Sequence, residues 1–119
     1  MKYRIDEMDA ATVVDALAAL AHEHRLAAFR LLVEAGPAGL PAGTIAERLG
    51  IAPSSLTFHT RELMQARLVT QRRVSRQLFY AANFDAMNDV LGYLTENCCA
   101  GEACGLECGP TGSAGSAAR

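Results

Sequence analysis

Ile45-Ala46-Glu47-Arg48-Leu49-Gly50-Ile51-Ala52-Pro53-Ser54-Ser55-Leu56-Thr57-Phe58-His59-Thr60-Arg61-Glu62-Leu63 is the stretch on which the fold turns. Ile45 and Leu49 share a helix face, and Pro41 suits the first position of that helix. Gly50 ends it. After Ile51-Ala52-Pro53, Ser54 is placed to cap a second helix in which Leu56, Leu63, Met64 and Ala66 are the apolar positions. Two short helices joined by a glycine turn outline a helix-turn-helix.

Upstream, Asp9 is an N-cap for a helix over about 10–20 with Val13, Val14, Leu17 and Leu20 at helical spacing. A further helix runs through Leu26, Phe29, Leu32 and Val33 and stops at Gly36-Pro37, a glycine able to take a left-handed cap followed by a residue that cannot continue the helix. Downstream the period changes. Leu68–Arg73 and Gln77–Ala81 are β-favouring runs around a Val74-Ser75-Arg76 turn, which predicts a hairpin. Asn83 then caps a last helix carrying Phe84, Met87, Val90, Leu91 and Leu94, continuing to about Asn97. The expected fold is mainly α with a small β-hairpin, a winged helix-turn-helix over residues 1–97. Residues 98–119 form a separate tail. Gly and Ala supply 10 of the 20 residues from 100 onward, too little apolar surface to offset chain entropy, so the tail is expected to be flexible.

The chain has 119 residues and a formal charge of −2, enough for one domain and, as a global figure, unfavourable to nucleic acid. The charge is unevenly placed. Residues 1–47 hold 4 basic and 7 acidic side chains, residues 48–76 hold 6 and 1, and residues 77–119 hold 1 and 5. All six central cations are arginines: Arg48, Arg61, Arg67, Arg72, Arg73 and Arg76. Such an island is the asymmetry expected of a nucleic-acid-contacting surface, and from charge alone a solvated surface face is the alternative. No apolar run approaches the roughly 20 residues of a membrane span. The N-terminus turns acidic at Asp6-Glu7 where a secretion signal would turn apolar, so a cytoplasmic protein with no membrane partner is expected.

His22-Glu23-His24-Arg25-Leu26, then Ile45–Ile51 before Ser54-Ser55-Leu56-Thr57-Phe58-His59, then Leu63 and Ala66-Arg67-Leu68-Val69 together resemble the ArsR/SmtB family of metal- and metalloid-responsive repressors. The likeness spans about residues 12–97. It implies a homodimer paired through the first and last helices, bound to a palindromic double-stranded operator and released by a toxic ion. A recognition helix enters the major groove by its N-terminal part, so Ser54, Ser55, Thr57, Thr60 and Arg61 are the candidate base and phosphate contacts, with Arg72, Arg73 and Arg76 on the wing. His59 stands between a structural or phosphate-contacting role and base readout. His22 and His24 are assigned to the helix start or to solvent rather than to a metal.

All four cysteines, Cys98, Cys99, Cys104 and Cys108, fall in the last quarter of the chain. Buried structural thiols would be scattered through the apolar helices, and thiols clustered in a Gly-rich tail suit ligation by soft acceptors. Trivalent arsenic takes three sulfurs. In the family, one class of arsenite sensors carries a vicinal pair at the end of the last helix and a third Cys further on, which Cys98-Cys99-x4-Cys104 resembles. Cys108 is an additional candidate ligand. Arsenite or antimonite is therefore the expected inducer, with no organic cofactor. A zinc-responsive or redox-responsive repressor of the same fold is the alternative. Four-cysteine zinc sites use Cys pairs spaced by two to four residues, which adjacent Cys98 and Cys99 fit poorly. A small thiol enzyme is the reading from another class. The thiols follow a helix C-terminus, the negative end of its dipole, among Glu96, Glu102 and Glu107, a poor setting for an attacking thiolate, and no catalysis is expected.

Overall fold

A computed structural model describes residues 9–96 and Cys99. Local capping sets most element boundaries. Asp9 Oδ1 accepts the Thr12 N–H at 3.0 Å and starts α1 (Ala10–Leu20). His22 performs the same task for α2 (Glu23–Ala35), its Nδ1 accepting the His24 N–H at 3.1 Å. Gly36, at φ 86°, ends α2 in a backbone region closed to most residues. After β1 (Leu40–Pro41) comes α3 (Ala42–Leu49), closed by left-handed Gly50 with Ile51 N–H reaching back to the Ala46 carbonyl at 3.1 Å. The next helix, α4, spans Pro53–Gln65. β2 (Val69–Val74) and β3 (Gln77–Ala82) make the hairpin, and α5 (Phe84–Thr95) is capped by Asn83, whose Oδ1 accepts from Ala86 N at 3.2 Å.

Three local expectations are corrected. Pro41 is not the first helical residue; it lies in β1 and flanks α3 with extended backbone at ψ 148°. Ser54 does not cap α4, because Pro53 occupies the first turn, where its missing N–H costs nothing. The wing is also larger than a hairpin. Leu40 and Pro41 pair antiparallel with Tyr80 and Phe79, giving a three-stranded sheet in the order β1-β3-β2. Gly39 makes this possible: at φ 75°, any Cβ there would sit 2.1 Å from the Tyr80 carbonyl oxygen. Val74 belongs to β2 and pairs with Gln77, so the turn is the two residues Ser75-Arg76, with Ser75 at φ 57°.

Leu32, Ile45, Leu56, Leu63 and Leu68 are fully buried and join Phe29, Val69, Tyr80 and Val90 in one core. Each such side chain contributes on the order of 1.5–3 kcal/mol relative to exposure. Leu56 and Leu63, seven residues apart, fix which side of α4 faces inward. The C-terminus of α4 is locked by Leu68 N–H to the Leu63 carbonyl (3.0 Å) and Arg67 N–H to the Met64 carbonyl (2.9 Å). This is a Schellman closure with Arg67, at φ 67°, where glycine is usual.

Candidate nucleic-acid interface

With Leu56 and Leu63 inside, the opposite side of α4 is set by helical geometry. Ser54, Ser55, Thr57 and Phe58 are exposed along it in the N-terminal half, the part that a major groove would admit, and Arg61 is exposed one turn beyond Thr57. Thr57 and Arg61 are four apart and share a face. Thr57 Oγ1 donates to the Pro53 carbonyl at 3.1 Å, which holds the hydroxyl while leaving its lone pairs available. Thr60 is a correction. It is fully buried, and its hydroxyl donates back to the carbonyls of Leu56 (3.0 Å) and Thr57 (3.1 Å), so it cannot touch a base edge. His59 is also turned inward, at 7% exposure, which removes it from base readout.

The aromatic residue of this surface escaped the sequence. Phe58 is 51% exposed, beside the polar positions. Its place two residues after Leu56, about 200° around a helix, was the available signal.

On the wing, Arg73 and Arg76 are exposed at the strand end and turn. Arg72 makes two contacts within the wing: its guanidinium lies 5.0 Å from the Phe79 ring centroid and Nη1 donates to the Ala38 carbonyl at 3.2 Å. These contacts brace the wing against the loop before β1, and the residue stays exposed like Arg73 and Arg76. Arg48, in the last turn of α3, is exposed and near the same helix-turn-helix.

His59 packs on two other imidazoles. Its ring centroid lies 4.6 Å from that of His22 and 5.5 Å from that of His24, so residues assigned to a helix start meet the recognition helix. Burial holds the His59 imidazole below its ordinary value of 6.5, and the positive charges of His22, Arg25 and His24 act the same way, against Glu62. Nothing in the chain's local pattern signals this meeting, because 35 residues separate His24 from His59.

Among the tail thiols, Cys99 is described; it is exposed, at φ 58°. Cys98, Cys104 and Cys108, and with them the expected tail and metalloid clamp, lie outside the described residues.

Comparison with known proteins agrees with this geometry. The family described as "Helix-turn-helix domain" matches residues 20–72. The chain is 31% identical over 88 residues to the nodulation protein NolR of Rhizobium meliloti, covering 74% of this chain and 70% of that protein. The structure of an ArsR-like transcriptional regulator from Rhodococcus sp. RHA1 superposes with a TM-score of 0.62 at 26% identity, over 73% of this chain and 78% of that one. The chain belongs to the ArsR family of winged helix-turn-helix regulators. A homodimeric winged helix-turn-helix DNA-binding domain from Mycobacterium bovis, Mb0332, shares the fold at TM-score 0.59 and 22% identity, over 73% of this chain and 80% of that one. As an ArsR-type regulator the protein is a DNA-binding transcription factor rather than an enzyme. Among the described residues, no helix is long and apolar enough to cross a membrane.

Proposed function

We propose that this ArsR-type regulator is a cytoplasmic homodimeric repressor that binds a palindromic operator and leaves it when trivalent arsenic or antimony is held by Cys98, Cys99 and Cys104. The carrying observation is the two-sidedness of α4: Ser54, Ser55, Thr57 and Arg61 outward, Leu56, Thr60 and Leu63 fully inward. A rigid inner face lets the outer hydroxyls and guanidinium be presented in a fixed register to base edges. Arg73 and Arg76 supply phosphate contacts beside it.

Dimerisation is supported by apolar side chains left outside the core on α1, α2 and α5. Val14, Leu17, Leu26, Leu91 and Leu94 are all at least 40% exposed, and several border one apolar groove between these helices. A second copy is the occupant that fits, since a two-fold pairing would present two recognition helices to half-sites about one helical turn apart. The inducer follows from the thiol chemistry of the sequence: three sulfurs close in the chain, soft, and beyond the end of α5.

The test begins with an operator selected from random duplexes, bound to the full chain and followed by fluorescence anisotropy. Arsenite and antimonite are expected to weaken binding roughly 5- to 150-fold, and Cys98→Ser, Cys99→Ser or Cys104→Ser to abolish that response. Release by zinc or by oxidant with no response to arsenite would overturn the metalloid assignment. Retained response in Cys104→Ser with loss in Cys108→Ser would move the third ligand. Leu91→Glu should yield a monomer by sedimentation.

A further inference from the structure

His22 and His24 open α2, and His59 lies in the middle of α4, yet one ligand nitrogen from each falls within 4.8 Å of the other two. The three rings pack pairwise at centroid separations of 4.6, 5.5 and 5.6 Å. His59 is more than nine-tenths buried, and its Nδ1 is a buried atom with no hydrogen-bond partner. A buried, unpartnered imidazole nitrogen carries a desolvation cost that a native fold ordinarily relieves with a partner. The two imidazoles packed against this ring belong to the more exposed residues of the trio.

From this arrangement we infer a site for one divalent transition-metal cation of the zinc class, bound by His22, His24 and His59 and clasping the start of α2 to the recognition helix. Imidazole is the ligand type that suits zinc, copper, nickel and iron, and three imidazoles with an open fourth position is an established zinc coordination set. Zinc–nitrogen bonds of about 2.0–2.1 Å put tetrahedral ligand nitrogens about 3.3 Å apart, so the trio closes by a shift on the order of an ångström. His59 is fixed by burial, and His22 and His24 supply the movement. Of the neighbouring charges, Glu62 favours a cation here and Arg25 opposes it. Arg25 is tethered by its Nε to the Ala19 carbonyl at 2.6 Å.

The site is linked to the cap of α2. The His22 Nδ1 lone pair now accepts the His24 N–H, which places the ring proton of a neutral His22 on Nε2. Ligation through Nδ1 takes that lone pair, and ligation through Nε2 moves the proton to Nδ1. Either way the cation replaces the capping bond, exchanging a local helix-start contact for a connection between two helices. This site uses no thiol, and its occupancy does not depend on the metalloid chemistry proposed above.

The test uses the full chain with Cys98, Cys99, Cys104 and Cys108 all changed to Ser, so that sulfur cannot compete. Cobalt(II) is titrated and followed by visible absorption, with zinc(II) as competitor. The expected result is one cobalt per chain, visible d–d bands without sulfur charge transfer, displacement by zinc, and a rise in Tm on zinc addition, since a ligand of the folded state stabilises it. His22→Asn retains a good capping side chain but no imidazole, and His24→Gln changes a partly exposed residue; both should remain folded by circular dichroism and lose the bands and the Tm rise. These two variants keep the test decisive even if His59→Gln fails to fold. Absence of bands and of any Tm rise in the Cys-to-Ser chain, or unchanged cobalt binding in both folded His variants, would overturn the site.

Discussion

Asn83 fastens the end of the recognition helix to the start of α5: its Nδ2 donates to the Arg67 carbonyl at 2.9 Å while its Oδ1 caps α5 through Ala86 N. One side chain therefore spans the α4 closure and the last helix. Asn83→Ala is expected to cost about 1–3 kcal/mol in urea unfolding, from a lost cap plus a lost tether. Asn83→Asp keeps the acceptor and loses the donor, and should cost about half as much. Arg67 itself holds a left-handed backbone, so Arg67→Gly should raise stability by up to about 1 kcal/mol, because the carbonyl that Asn83 uses is retained.

Two glycines with similar φ should respond differently. Gly36 has φ 86° and open space around its Cβ position, whereas Gly39 has φ 75° and the Tyr80 carbonyl in the way. Gly36→Ala is expected to cost about 1–2 kcal/mol from backbone strain alone. Gly39→Ala should cost about 3 kcal/mol or more, since β1 must also separate from β3. Thermal unfolding of the pair, with hydrogen exchange at Tyr80, measures the difference.

On α4, exposure separates readout from stability. Arg61→Ala and Thr57→Ala should each weaken operator binding, Arg61→Ala by about 1–3 kcal/mol, with unchanged Tm. Thr60→Val should instead shift Tm, because it removes a buried hydroxyl bonded to two carbonyls, and should leave the base preference of the selected operator as it was. Anisotropy and calorimetry on the same three proteins distinguish the roles. Unchanged affinity in both Arg61→Ala and Thr57→Ala would move readout off this face.

The lowered His59 value has a definite sign in stability. The unfolded chain binds a proton near 6.5 and the folded one only at lower pH, so between those values the unfolded state holds more protons and stability rises with pH. In chelator-treated protein the His59 contribution is complete above 6.5 and is lost as pH falls through the folded value. Burial, then His22, Arg25 and His24, enforce the shift and Glu62 opposes it. Urea midpoints measured downward from pH 7.5 should fall below pH 6.5, and more shallowly in His59→Gln at equal reference stability. A pH-independent midpoint through that window would contradict the assignment.

The caps at Asp9 and Asn83, the stops at Gly36 and Gly50, the inward pair Leu56 and Leu63 and the order of the five helices and the hairpin were legible in the chain because each depends on residues within a few positions of one another. So was the arginine island, which the global charge of −2 conceals. Long-range contact supplied the rest. Leu40 and Pro41 became a strand because Gly39 lets them approach Tyr80, Arg72 braces the wing because Phe79 lies under it, and Thr60 went inside because the core face of α4 is wider than its leucines alone indicate. The three histidines show the same division most plainly. Their capping and helical positions are local properties, whereas their convergence exists only because α2 packs against α4, and burial of one ring against two others is a consequence of that packing.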